Sequence, residues 1–500
     1  PGSEGRKMVT TLLPSQLAAM TTSVSLIMQM TDGLETLGNT YRQLGCGPMV
    51  AARHINERVN TVVPTLTTLV APGISPSMYD SGSSWKPSIR AYRDGKARGG
   101  RAVIGASRSS VSAFLALLGD LDSIPMCSYW SSSPTLSNKD LYPLFGRTYP
   151  SDAVTTQVLP RVIEHYGWSS IGVIHANDDY ANAYSAGLLA NGPAAGVSVI
   201  ASASFERNQP ETMAPAVKLL KDSGVNIIVA VVWDFDGAAL AYEADRQGLI
   251  GPGYVWITTD SITTATVTAD ATTDADRARA LMNGWLNFYA SPSGSAGFAR
   301  FTAAWAREAD GACANDLFDI ADFPGVFGAN VTTATPASFA YDCMVAMSAA
   351  MHAAGPAASG EEIFAAFKKV SFEGASGTVA FDENGDRLNS TVRFVLDSWA
   401  GSHGAHDAAA SRPSAGHTPL QAASRPFRRS TRPPFWSDRP ARGNRQSRAS
   451  FESLWRRLAR PWPDPDAASR VLQVDSGTEL VSTPVGWITL DDGFVAGGAV

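Results

Sequence analysis

The sequence predicts an α/β protein of two doubly wound parallel-sheet lobes. Three observations carry that expectation. Short β-branched runs alternate with helical stretches along most of the chain, the pattern of parallel strands with crossover helices. Each strand–helix unit takes about 30 residues, the length of a βαβ crossover. The units fall into two series divided by the proline-marked LFGRTYPSD (144–152), and 500 residues exceed one compact core at about 150 residues per domain.

The elements follow in order. VSLIMQM (24–30) reads as the first strand, and GCGPMVAARHINERV (45–59) as a helix. AVIGA (102–106) is a buried strand that turns at SRSS into the amphipathic run VSAFLALLGDL, and IPMCSYW (124–130) is the next strand. The second series alternates helix and strand from AVTTQVLPRVIEHYG and WSSIGVIHA through NIIVAVVWD and DGAALAYEADRQGL to YVWITTDS. After 283 come helices at FARFTAAWAREADG, SFAYDCMVAMSAAMHAAG (338–355) and GEEIFAAFKKV. GTVAFDENGDRLNSTVRFVLDSW (377–399) reads as two strands joined by DENGD, whose Asn384-Gly385 suits a tight hairpin. RVLQVDSGTELVSTPVGWITL (470–490) resumes a strand pattern around the turn DSG.

Composition narrows the function classes. Forty basic against 46 acidic residues give −6, which excludes a global cationic field for nucleic acid or anionic lipid. That figure hides a split. Residues 401–470 hold 13 Arg, no Lys and five acids, so this segment carries +8 and the remainder −14. With nine prolines it reads as a disordered Arg/Pro-rich insert or a gene-model artefact, with an arm for acidic partners as the other reading. No stretch reaches the ~18 apolar residues of a spanning helix. The chain opens on Pro1 and is read as a fragment, with 1–23 left unassigned.

IGASRSSVS (104–112), IPMCSYWSSSPTLSNKDLYPLFGRTYPSD (124–152) and HYGWSSIGVIHANDDYA (165–181) carry a resemblance. AARHINER (51–58), FAYD (339–342) and FDENGDR (381–387) extend it. The chain resembles the receptor family ligand-binding region, the type I periplasmic-binding-protein or Venus flytrap module. It is most similar to the ectodomains of γ-aminobutyric acid type B and metabotropic glutamate receptors among class C G-protein-coupled receptors. The resemblance implies a three-segment hinge, crossing near 150, 284 and 370, with ligand in the cleft between lobes. One lobe would then comprise 24–150 plus 284–370, and the other 151–283 plus 371–400 and 471–490.

Strand-end chemistry points to the same cleft, because ligands of open α/β sheets bind beyond the carboxyl ends of strands. Ser109, Ser110 and Ser112 stand where AVIGA gives way to a helix, and Ser131, Ser132 and Ser133 follow the next strand. Such hydroxyls either cap the helix or, with free amides, hold a ligand carboxylate. The resemblance matches Ser109 and Ser132 to the carboxylate-holding positions of amino-acid receptors. On the facing lobe, Asp152 and Asp260 are expected to pair with a ligand ammonium, and Tyr180 to lay its ring on it. These three match the amino-group positions of metabotropic glutamate receptors, and Trp233 matches an aromatic that covers ligand in the γ-aminobutyric acid receptor. Helix capping for Asp152, and strand-end packing for Tyr180 and Trp233, are the plainer alternatives.

No catalytic residue, cofactor or metal site is expected. IGASRSSVS lacks the last glycine of a nucleophile elbow, and neither a phosphate-binding loop nor a dinucleotide fingerprint follows a strand. HGAH (403–406) is a chance pair of histidines. Cys313 and Cys343 are read as a disulfide if the domain is extracellular, with Cys127 a packed thiol and Cys46 unpartnered. Asn330 and Asn389 fit glycosylation sequons. The reading is an extracellular, non-catalytic receptor ectodomain that clamps a small amino-acid-like ligand. Dimerisation through lobe one is expected, with no nucleic acid, and with membrane contact only through segments absent from this chain. A soluble binding protein feeding a transporter, or the sensory half of a receptor guanylate cyclase, are its rivals.

Overall fold

A computed structural model describes residues 22–398 apart from 33–34, 37–38, 208, 263–274, 310 and 324, with three strands beyond them. The first series runs β1 (Thr22–Met28), α1 (Asn39–Glu57), β2 (Ile74–Asp80), α2 (Trp85–Ala97), β3 (Val103–Gly105), α3 (Ser109–Asp122), β4 (Met126–Ser128) and β5 (Phe145–Arg147). The second runs α4 (Asp152–His165), β6 (Ser170–Ala176), α5 (Asp179–Asn191), β7 (Ser198–Phe205), α6 (Met213–Ser223), β8 (Ile227–Val231), α7 (Asp234–Gln247), β9 (Val255–Thr258) and β10 (Leu286–Ala290). Then come α8 (Ala296–Trp305), α9 (Thr335–Ala354), α10 (Gly360–Phe367), β11 (Ser371–Gly374), β12 (Gly377–Ala380) and β13 (Arg393–Ser398). The last strands are β14 (Leu472–Asp475), β15 (Trp487–Thr489) and β16 (Gly493–Val495).

The first sheet is wholly parallel, in the order β2-β1-β3-β4-β5. The second begins β7-β6-β8-β9-β10, so both series wind with the same strand order, and all four of these pairings are parallel. This is the mixed α/β architecture of a two-lobed periplasmic-binding-protein-like fold. Position in the sheet explains the sequence patterns. Central β8 (IIVAV) is buried throughout and reads as an unbroken apolar run, whereas edge strand β7 alternates exposed and buried residues. In each sheet the order reverses beside its first strand, and such switch points open a crevice at the strand ends.

Four details correct the sequence reading. The turn at 382–386 exists, but it closes only a single bridge, Phe381 with Arg387. β12 pairs instead with β11, because Asp342 accepts from the backbone of Ala375 and Ser376 and fixes the turn between them. β13 leaves to pair antiparallel with β10, and β14 pairs on its other side. β14 and β15 run parallel rather than as a hairpin.

The passages between sheets also shift. β10 (286–290) belongs to the second sheet, and β11–β12 pack on α8, so the chain crosses after 290 and after 380, not near 284 and 370. The first sheet ends at β5 and the second series begins with α4, with 148–151 between them. The insert at 401–470 and the segment 1–21 lie outside the described residues.

Cys313 and Cys343 do not pair. The bridges are Cys46–Cys313 and Cys127–Cys343, so Cys127 is not a free thiol. The cause is α9, a nearly fully buried helix that packs on both α1 and β4 and sets Cys343 over the strand that carries Cys127. Gly47 permits that approach, since a Cβ there would meet Ala337 O at 2.6 Å.

Candidate functional site: a cleft between the two sheets

The carboxyl ends of both sheets converge on one cavity, about 350 Å³ of atom-free space partly open to solvent. Gln29 follows β1, Ser107 and Ser109 follow β3, and Trp130 and Ser132 follow β4. From the second sheet come Tyr180 in the first turn of α5, Trp233 after β8, and Asp260 and Ser261 after β9. Tyr41 of α1 completes the lining.

The first wall is hydroxyl-rich and tightly braced. Ser109 Oγ accepts from Ser133 N at 3.1 Å, so it joins two loops rather than capping its own helix. Ser112 and Ser131 hydroxyls meet at 2.8 Å, and Ser131 Oγ donates to Ala106 O at 3.0 Å. Behind the wall, Arg147 is fully buried. Its Nη1 donates to the carbonyls of Ser131 and Ser133, and its other nitrogens grip Asp386 at 2.8 and 3.0 Å. The guanidinium thus fixes the backbone on either side of Ser132.

The second wall is aromatic and acidic. Trp130 Nε1 donates across the cleft to Asp260 Oδ2 at 2.8 Å. The Tyr180 hydroxyl lies 3.1 Å from Asp260 Oδ1 and 2.8 Å from Thr259 Oγ1. Tyr41 donates to Asp234 Oδ2 at 3.0 Å, a second bond between the sheets, and Arg108 lies over Trp233 at 4.8 Å. Burial holds the Asp260 carboxyl above its usual range. Burial, then the neighbouring Asp260 charge, does the same to Asp152. No Lys, Arg or His stands among the lining residues.

Of the seven residues expected from sequence, Ser109, Ser132, Tyr180, Trp233 and Asp260 line this cavity. Ser110 does not. Asp152 lies behind the lining, where its N donates to Ser132 O at 2.8 Å and its buried Oδ2 has no hydrogen-bond partner among the described residues. Its helix is capped by Ser151, not by Asp152. Gln29, Ser107, Trp130 and Ser261 were missed although each follows a strand within a few residues. Tyr41 had no such signal. Among the described residues no cluster of three His, Cys, Asp or Glu stands where it could hold a metal.

This geometry accompanies a match to the Receptor family ligand binding region over residues 50–395, more than half of the chain. The chain belongs to this family. The ligand-binding region is 26% identical over 298 residues to metabotropic glutamate receptor-like protein E of Dictyostelium discoideum, covering 57% of this chain and 34% of that protein. It is 30% identical over 148 residues to γ-aminobutyric acid type B receptor subunit 1 of Mus musculus, covering 30% and 15%. A shorter stretch of 79 residues is 44% identical to the extracellular calcium-sensing receptor of Homo sapiens, covering 16% and 7%. These class C relatives are receptors by name, and the chain spans about a third of the first and less of the others. Among the described residues of this ligand-binding region no helix is long and apolar enough to cross a membrane.

Proposed function

We propose that the chain is the non-catalytic, extracellular ligand-binding part of a membrane receptor, closing its two lobes around a small amino-acid-like zwitterion. One observation carries the reading: a single cavity has serine hydroxyls on one side and a half-buried carboxylate with aromatic rings on the other. Ser109 and Ser132 take the ligand carboxylate at the start of α3 and the adjoining loop, with Ser110 the next residue of α3. Asp260, flanked by Tyr180 and Trp233, takes the ammonium, and Asp152 stands behind the lining as a group that ionises when the cation binds. A ligand touching both walls favours the closed arrangement by its differential affinity for it, which is the signal. Each sheet with its covering helices acts as one lobe.

The partner is a second copy of the chain. Trp85, Phe114, Leu117 and Leu121 expose between 42% and 80% of their surface on α2 and α3 of the first lobe, a concentration that supports pairing there. The two disulfides and the exposed Asn330 and Asn389, proposed glycan acceptors, support a secretory route.

The test is calorimetric titration of the full chain with a panel of amino acids. Ser132→Ala and Asp260→Asn are expected each to weaken binding about tenfold or more. Binding unchanged in both variants contradicts the site, and no binding at all contradicts the ligand class.

A further inference from the structure

The turn from β3 into α3, Ala106-Ser107-Arg108-Ser109-Ser110, is made of small residues except for one arginine. Arg108 is nonetheless only 2% exposed. A guanidinium kept from water is costly unless other groups take the place of solvent. Part of that replacement comes from the opposite lobe. Arg108 lies 4.8 Å from the ring centroid of Trp233 and 5.4 Å from that of Phe235, where β8 gives way to α7. Arginine suits such a seat, because its planar, weakly hydrated cation stacks on aromatic faces.

Three consecutive residues of the second lobe are in fact met from the first. Tyr41 of α1 donates to Asp234 Oδ2 at 3.0 Å, and Asp234 stands in sequence between the two rings that Arg108 meets. Trp233 is also fixed within its own lobe. Its Nε1 donates to Asp178 Oδ2 at 2.5 Å, and Arg207 lies 5.5 Å from its ring centroid and 4.9 Å from that of Phe235. Donation to a carboxylate polarises the indole and makes its face a better seat for a cation. Two guanidiniums, one from each lobe, thus share these rings, and Asp178 and Asp234 adjoin the rings to offset the repulsion between them. Trp233 itself lines the cavity. Arg108, carried by one lobe, therefore bears on a cleft-facing ring carried by the other.

We propose that Arg108 is a positioning residue that clasps the two lobes together and holds Trp233 over the cleft. It acts through the Trp233 ring and is not itself among the residues lining the cavity. Widening the cleft pulls the guanidinium off both rings, so the contact weights the balance between shut and open arrangements. Release of whatever the cleft holds then waits for the clasp to break. The consequence rests on the two-lobed ligand-binding reading; the clasp needs no ligand to be tested.

The test is the distance between lobes in the full, unliganded chain. Spin labels at Ala190→Cys on α5 and Ala365→Cys on α10, both exposed positions, are read by double electron–electron resonance after dilution with unlabelled chain. Arg108→Met, which keeps a long side chain without the charge, is expected to raise the ratio of long to short distances about tenfold or more. Arg108→Lys, which keeps a cation, should fall between Arg108→Met and the wild type. In a chain that also carries Trp233→Leu and Phe235→Leu, Arg108→Met should change the ratio by less than about twofold. Distances that Arg108→Met leaves unchanged, or an equal effect with and without the two rings, overturn the inference and leave the ligand site standing. A wild type found wholly at the long distance overturns it as well. Failure of amino acids to bind, by contrast, overturns the ligand reading and leaves the clasp in place.

Discussion

The indole of Trp130 reaches from the end of β4 to Asp260 at the end of β9, 2.8 Å from Nε1 to Oδ2, and so joins the two sheets across the cleft. A hydrogen bond to a carboxylate contributes about 1.5–3 kcal/mol, more than a neutral one. Trp130→Phe and Asp260→Asn are each expected to lower stability. A double-mutant cycle by urea denaturation should return a coupling of about 1.5 kcal/mol or more. Additive effects would mean that the bond does not hold the lobes together.

Asp152 and Asp260 make the unliganded protein sensitive to pH. Burial first, and the Asp260 charge second, raise the Asp152 carboxyl. The folded chain therefore keeps a proton that the unfolded chain releases near pH 4. Its contribution to stability is fully present below that pH and is lost as pH rises through the raised folded value. Melting temperature should fall with rising pH more steeply in the wild type than in Asp152→Asn, and parallel curves would contradict the linkage. A bound cation should reduce the wild-type slope.

Arg147 is a positioning residue, since it acts on the site through the carbonyls of Ser131 and Ser133. Arg147→Met leaves Asp386 buried without its partner and should cost about 3–5 kcal/mol. Adding Asp386→Leu should recover most of that stability without recovering ligand affinity, because the loop carrying Ser132 stays unpinned. Affinity that returns together with stability would show that the guanidinium does not order the wall.

Much of the fold is legible in the sequence because a central strand such as β8 is covered on both faces and must be apolar without interruption. β2 and α2 are harder to read. β2 is an edge strand broken by Pro76, a residue tolerated there because an edge leaves amides unpaired, and α2 carries Pro87 in its first turn. Strand ends led to Ser109, Ser132, Tyr180, Trp233 and Asp260, because a doubly wound sheet delivers them to one crevice. Tyr41 arrives from a helix by tertiary packing, which no local pattern encodes. The disulfides span 267 and 216 residues and depend on where α9 lies, so proximity in sequence misdirects their pairing.

Non-reducing peptide mapping checks that pairing directly. Linked peptides should join Cys46 to Cys313 and Cys127 to Cys343, and a Cys313–Cys343 peptide would contradict the packing of α9. Replacing Cys127 and Cys343 together by Ser should cost about 2–4 kcal/mol, read from the shift in urea midpoint.

Ligand held between the sheets must touch Trp130 and Trp233, which line the cavity from opposite lobes. The protein labelled with 5-fluorotryptophan, its two resonances assigned through Trp130→Phe and Trp233→Phe, reports that contact by fluorine NMR. Saturation with the amino acid that most raises the melting temperature should shift both resonances together. A stabilising ligand that leaves both unmoved would place binding elsewhere and contradict the cleft.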